Sequence, residues 1–588
     1  MRLKNLSRWT LDDQTVGLLF FAQRLDELLF DYTLDTYKPP ALNAPFLCVE
    51  AIELIYEIDK GFIEPANLEP VLEELTWSLQ NDDVAKNLLN ADINYYTLRN
   101  DETPLPVTKL RLEALGRTIN SSRYLHALID RLAVAVRQSA KREIDSLASS
   151  LVTTLINVGM SKQFIFNSTQ EYFFSPDGSD ICSPDDLDGF ISLVTPKIHS
   201  YSVYFLGSSQ IKGVSGSIGS FGLEILDELP EENAEYLLDN PKTENEVFIK
   251  VLKVRAFDAF SARHKAFGRL DNLSDLFTLF YHKSQLTWRP EALVVRQCCD
   301  KKSAVAIAPK GPMEKAFDLR PDKASKELNI LLTRFSARND RSSFQRFNRV
   351  ADLHGICVAQ DIADNQLVNL WTAIETLVPS HVGGSKIKQV IKATTPFVAR
   401  SYTRRLLETL LFDLTRWDRW RIKKILNKVP SEKGASALQK VARLIASEDC
   451  REIRDELYGR LGDFHLLRYR CFKLSEQLAT SKNIISMLDR HEKKVAWQLR
   501  RLYRARNLIV HTSRSPSYLS TLIENGHSYF DIMLFDVIGL SCGEYGAVTI
   551  EQSFELGAIL YGSFRNRLNS VDKIDGESSE LLVSKDGI

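Results

Sequence analysis

Residues 499–516 read LRRLYRARNLIVHTSRSP and place Arg506, Asn507 and His511 where a regular helical pattern is about to stop. At 100° per residue, Val495, Leu499, Leu502 and Ile509 form one apolar stripe, and Arg506 falls in its middle. A guanidinium there is costly unless it is paired and hydrogen-bonded, or unless the face opens onto a cleft or a partner subunit. Either a buried ion pair holds two helices in register, or Arg506 meets a ligand. Asn507 and His511, at i and i+4, share a flank, and on a straight helix His511 lies about 140° around from Arg506. The two side chains converge only if the helix ends or bends at the motif, which Thr512, Ser513 and Pro516 allow. The alternative is that two copies of the chain pool their Arg and His.

The surroundings are basic. Between Arg490 and Arg514 stand Lys493, Lys494, Arg500, Arg501 and Arg504, opposed only by Glu492. Such a run is often just a solvated helix face. Beside a recessed Arg and a His it also suits a polyanion, whose phosphates bind cations and release counterions. Lys493, Lys494, Arg500, Arg501, Arg504 and Arg514 are therefore the candidate contacts. A second basic helix carries Arg404, Arg405, Arg416, Arg419, Arg421, Lys423 and Lys424, interleaved with Trp417 and Trp420. At helical spacing these tryptophans are core residues or, less commonly, platforms for unpaired bases.

The elements that position these residues follow from periodicity. Residues 1–165 alternate helix-period apolar runs with short polar breaks, so this region is expected to be all-helical. From Asp12 to Glu102 carboxylates outnumber Lys and Arg by two to one or better, which suits a protein-facing regulatory or sensor role more than nucleic acid. Residues 166–322 contain short Val-, Ile-, Phe- and Tyr-rich runs bounded by Gly, Pro, Ser and Asp, from QFIFNSTQEYFFSPDGSD to EALVVRQCC and SAVAIAP, and predict a mixed α/β domain. GVSGSIGSFG lacks the residues of a phosphate-binding loop, and SPDGSDICSPDDLDGF misses calcium-loop spacing. Helices return over 323–545. Residues 546–588 should hold a last helix and a polar, flexible tail. The fold class is mainly α, with a mixed middle domain and a C-terminal helical bundle.

Composition sets the outer bounds. The 588 residues carry 75 basic and 76 acidic side chains, so only local clustering bears on nucleic acid. Eight scattered cysteines, with no C-x-x-C pair and no histidine at zinc-ligand spacing, point to a reduced cytoplasmic chain without metal or cofactor. The longest apolar stretch, residues 528–550, is broken by Asp531, Asp536 and Glu544, so no membrane span and no signal peptide are expected.

Arg506-Asn507-x-x-x-His511 at the end of a long helix resembles the R-N-x-x-x-H form of the motif of the HEPN superfamily. NQLVNLWTAIETLV followed by SKIKQVIKATTPFVA is similar to the opening helices of the Apea-like HEPN group of bacterial anti-phage defence proteins. The resemblance covers roughly residues 340–545. It implies an endoribonuclease that needs no metal and acts as a homodimer in abortive infection, cutting tRNA or mRNA, with a phage component as trigger for the preceding regions. In that scheme His511 moves a proton, Arg506 stabilises phosphorane charge, and Asn507 orients the phosphate or His511. Glu375, at the edge of the stripe Leu367, Leu370, Trp371, Ile374 and Leu377, would pair with Arg506 and position it. Val510 stands where some relatives have Tyr. A non-catalytic HEPN dimer binding RNA or protein as a sensor or antitoxin-like module is the alternative, and a scaffold in which Arg506 and Glu375 brace the core is a third.

Overall fold

The computed structural model describes residues 1–584 apart from 32, 97–103, 217, 234, 301, 315–317, 336–339, 381–382 and 513. The chain folds into two compact units. One comprises Met1–Ser150, Cys182–Pro184 and Gly311–Ile588, and the other Leu151–Ile181 and Asp185–Lys310. The first boundary thus falls near 150 and the second near 310, not at 165 and 322. The N-terminal helices do not stand apart as a domain but share a core with the C-terminal ones. Tyr37 lies in the same apolar cluster as Leu406, Leu467 and Leu488.

In the first unit α1 (Val16–Leu29), α2 (Ala44–Asp59) and α3 (Glu69–Asn81) open the chain. Helix α1 is buried almost all round. Its Arg24 pairs with Asp145 at 2.7 Å and, with Arg470, engages Glu27. These charges lie inside the core, and each is compensated by its neighbours.

The second unit contains α4 (Lys162–Phe174). This is a helix where aromatic composition suggested a strand. Ile165, Ser168, Thr169 and Phe173 are buried at helical spacing, and Ser161 caps the helix by accepting from the Phe164 N–H at 3.0 Å. Period outweighs composition here, because propensity is the weaker prior. Strands β1 (His199–Ser208), β2 (Leu223–Leu226), β3 (Glu246–Ala256), β4 (Trp288–Arg296) and β5 (Ser303–Ile307) then form an antiparallel sheet in the order β2-β3-β1-β4-β5. Alternation sorts their side chains. Val203, Phe205, Ile249, Val251 and Val294 pack on Ala262, Ala266 and Leu270 of α5 (Ala259–Thr278), whereas Tyr204, Leu206, Phe248 and Leu293 face the other way. Asp258 and Ser261 form a capping box that starts α5.

The helices that carry and surround the candidate residues belong to the first unit. They are α6 (Arg341–Ala359), α7 (Ala363–Leu377), α8 (Lys386–Arg400), α9 (Tyr402–Leu426), α10 (His465–Leu478), α11 (Ser481–Thr512), α12 (Leu519–Cys542) and α13 (Ile550–Asn569). Helices α6, α7, α8, α11, α12 and α13 surround one apolar cluster that includes Trp371, Phe397, Leu499, Leu502 and Phe530. The fold is mainly α with a mixed middle region, as the sequence predicts. The tail departs from expectation. Ile574, Leu581, Leu582 and Val583 are buried, and Thr403 Oγ1 donates to the Leu582 carbonyl at 3.0 Å, so the chain is packed through this segment. Among the described residues, no helix is long and apolar enough to cross a membrane.

Candidate functional site

The stripe on α11 forms as its period requires. Val495, Leu499 and Leu502 are fully buried, and Ile509 is partly buried against the same cluster. On the partner helix α7, Leu367, Leu370, Trp371, Ile374 and Leu377 are buried in that cluster too. Arg506 is half-buried at the edge of this core. Its Nη1 donates to Asn507 Oδ1 at 3.0 Å, while its Nε is buried without a hydrogen-bond partner. Among the described residues no ion pair joins Glu375 to Arg506. The expected Glu375–Arg506 brace is therefore not formed among the described residues, and Asn507 accepts a hydrogen bond from the arginine.

His511 is exposed and makes no hydrogen bond to a described residue. The helix does not break before it, because α11 runs on through Thr512, whose hydroxyl bonds back to the Leu508 carbonyl at 2.7 Å. Ser513, one of the expected stop residues, lies outside the described residues. With the helix intact, Arg506 and His511 point about 140° apart, so one copy of the chain does not bring the two together. Arg506 and Asn507 are adjacent, and His511 stands alone one turn beyond Asn507.

The basic face differs from expectation. Arg501 is only 2% exposed and grips Glu50 of α2 through Nε at 3.0 Å and Nη2 at 2.9 Å, while Nη2 also reaches Glu74 of α3 at 2.6 Å. Arg504 is buried as well, donating to Glu50 at 2.9 Å, and the Tyr518 hydroxyl donates to the same carboxylate. Arg501 and Arg504 are therefore not phosphate-facing surface. They are the cationic half of a buried cluster whose anions come from the acidic N-terminal region. Burial pushes the Glu50 carboxyl up, but the two guanidiniums outweigh it and hold it down at about 2. Glu74 moves the other way. Burial dominates there, the nearby Glu50 charge adds to it, and Arg501 offsets only part, so its pKa is raised.

The other candidate cations are partly engaged. Lys493 pairs with Glu73 at 2.8 Å, Lys494 stands 5.5 Å over the Trp77 ring, and exposed Arg514 reaches Glu57 at 3.3 Å. Arg500 is half-buried with no ion pair among the described residues. On α9 the two tryptophans separate. The backbone leaves helical geometry at Asp418 (φ −156°, ψ 97°), whose side chain then caps the N–H groups of Trp420 and Arg421. Trp417 stays against the core and Trp420 is 72% exposed.

Sequence reasoning missed a buried polar group in the same bundle. His354 of α6 and His527 of α12 approach Nε2 to Nε2 at 3.0 Å, with Asp531 one turn along α12. The i, i+4 spacing of His527 and Asp531 was visible, but His354 comes from a distant helix. A surface depression of about 550 Å³ along α13, lined by Ile559, Gly562, Ser563, Asn566, Arg567 and Ser570, contains none of the candidate residues. No family model, no curated protein and no solved structure matches the chain.

Proposed function

We propose that the chain is a HEPN-type endoribonuclease that needs no metal and works as a dimer in anti-phage defence. The observation that carries this reading is the state of Arg506. At the end of a helix otherwise stapled to its neighbours, this arginine has an amide contact and, among the described residues, no carboxylate and no partner for its buried Nε, while His511 close by is exposed and makes no hydrogen bond to a described residue. A half-buried guanidinium with no counterion among the described residues carries a desolvation cost, and a phosphate would relieve it. In the reaction the RNA 2'-hydroxyl attacks the adjacent phosphorus. His511 accepts the hydroxyl proton or donates one to the departing 5'-oxygen, and Arg506 with Asn507 stabilises the phosphorane. The products are a 2',3'-cyclic phosphate and a 5'-hydroxyl. Because Arg506 and His511 diverge on one straight helix, the working pair is completed by a second copy. The acidic helices α2 and α3, seated on the basic face of α11, support a regulatory role for the N-terminal region.

That same neutralised face favours a second reading, a non-catalytic dimer that binds RNA or protein, since Arg501 and Arg504 are not available to a polyanion. Incubating wild type, Arg506→Ala and His511→Ala with mixed tRNA and mRNA in EDTA separates the two. The nuclease reading expects cyclic-phosphate ends from wild type and rates about 10²–10⁴ lower in both variants with folding retained. Equal cutting by His511→Ala, or none by wild type with any phage-derived activator, leaves the binding module.

A further inference from the structure

Outside the bundle, the sheet unit gathers three soft ligands at one point. His199 begins β1, and Cys298 and Cys299 follow the end of β4. The antiparallel register fixes the meeting. Tyr201 pairs with Arg296, and the Gln297 N–H donates to the Ser200 carbonyl at 2.8 Å, so the ladder continues one step further and sets His199 opposite Cys298. Within a strand, Cys298 and Cys299 would point to opposite faces. They lie instead in the turn between β4 and β5, closed by Arg296 N–H to the Lys302 carbonyl at 3.0 Å, and both sulfurs turn toward the histidine.

The distances discriminate between explanations. Cys298 Sγ and Cys299 Sγ lie 3.4 and 3.5 Å from His199 Nδ1 and 3.7 Å from each other. Tetrahedral zinc, with Zn–S about 2.3 Å and Zn–N about 2.0–2.1 Å, needs sulfur–sulfur edges of roughly 3.8 Å and sulfur–nitrogen edges of roughly 3.5 Å. All three edges agree. The cysteines are free thiols and are exposed, so a metal can reach them. Two further donors point at the sulfurs, the Ser200 N–H to Cys298 at 3.4 Å and Arg296 Nη1 to Cys299 at 3.8 Å, the kind of outer bonds that steady metal-bound thiolates.

We infer that His199, Cys298 and Cys299 form a binding site for a zinc-class divalent ion, with the fourth position left to water. Binding releases the two thiol protons to solvent and ties the β4–β5 turn to the start of β1. The site stands independently of the nuclease reading. The sequence concealed it because the histidine precedes the cysteines by 99 and 100 residues, outside any local spacing rule.

The test uses the full chain, reduced and stripped of metal, titrated with Zn(II) against a chromophoric chelator and separately with Co(II). Wild type should take up one equivalent more than a Cys298→Ser, Cys299→Ser double variant. Its cobalt form should show thiolate-to-metal charge transfer with tetrahedral visible bands. His199→Gln should bind at least about tenfold more weakly and alter those bands, with unchanged far-ultraviolet circular dichroism. The cluster of His354, His527 and Asp531 is present in every sample and cancels in the comparison. Equal zinc uptake by wild type and the double variant overturns the proposal. So does a cobalt spectrum without the thiolate band, or wild-type affinity in His199→Gln.

Discussion

Arg501 and Arg506 lie on one helix, where the sequence sets Arg506 on the apolar stripe and Arg501 on the basic face, and their chemistry diverges. Arg501 is surrounded by two carboxylates, while Arg506 has an amide for company. Removing one partner of a buried ionic cluster leaves the others uncompensated. Arg501→Ala is therefore expected to cost about 3–5 kcal/mol in urea unfolding, much of it recovered when Glu50→Gln is added. A loss below about 1 kcal/mol would mean that the cluster does not hold α2 on α11. Arg506→Ala should behave differently and lose less than about 1 kcal/mol, because no counterion among the described residues is stranded. Glu375→Gln should change stability by no more than about 0.5 kcal/mol, as no ion pair to Arg506 exists among the described residues.

At the scale of helices, close approach decides what the bundle tolerates. Gly557 of α13 sits against the ring of Phe397 on α8, where an added Cβ would fall 2.5 Å from Cζ and 2.7 Å from Cε1. Phe397 is fully buried and cannot swing away. A helical Gly→Ala exchange gains about 1 kcal/mol in propensity, but overpacking costs about 1–3 kcal/mol. Gly557→Ala should thus destabilise, read as a lowered unfolding midpoint, and Phe397→Leu in the same background should restore part of the loss. The stripes of α7 and α11 were legible because burial on one face leaves a 3.6-residue trace in the sequence. Helix α4 was misjudged because its Phe, Tyr, Ile and Thr content mimics a strand. The burial of Arg501 and Arg504 was not legible at all, since Glu50 stands 451 residues away from Arg501 and no local pattern records such a partner. The kink at Asp418 was equally hidden, and with it the exposure of Trp420.

Across the helical unit as a whole, acid response follows from what the fold has buried. His491 stacks on Tyr402 with ring centroids 3.7 Å apart, and its Nε2 has no hydrogen-bond partner among the described residues. Burial lowers its pKa to about 4, helped by the Arg405 and Lys494 charges and opposed by Asp35. His465 is driven to about 3, first by burial and then by Lys141 and Arg468, whose Nη2 donates to its Nδ1 at 2.9 Å. Both histidines are held neutral in the fold but titrate near 6.5 when unfolded. The unfolded chain therefore takes up protons first. The stability these groups support is intact above pH 6.5 and is lost as pH falls from there toward 4 and 3. Glu50, depressed to about 2, adds a separate loss that begins only below about pH 4.5. Between pH 7.5 and 5.5 the carboxylate contributes little, and each histidine should account for about 1 kcal/mol. Urea unfolding at those two pH values should thus show wild type losing on the order of 2 kcal/mol from the pair. His491→Phe, which keeps the stack on Tyr402, should lose about 1 kcal/mol less than wild type over that range. If the variant's stability falls as steeply as wild type over that range, His491 is not among the groups that set it.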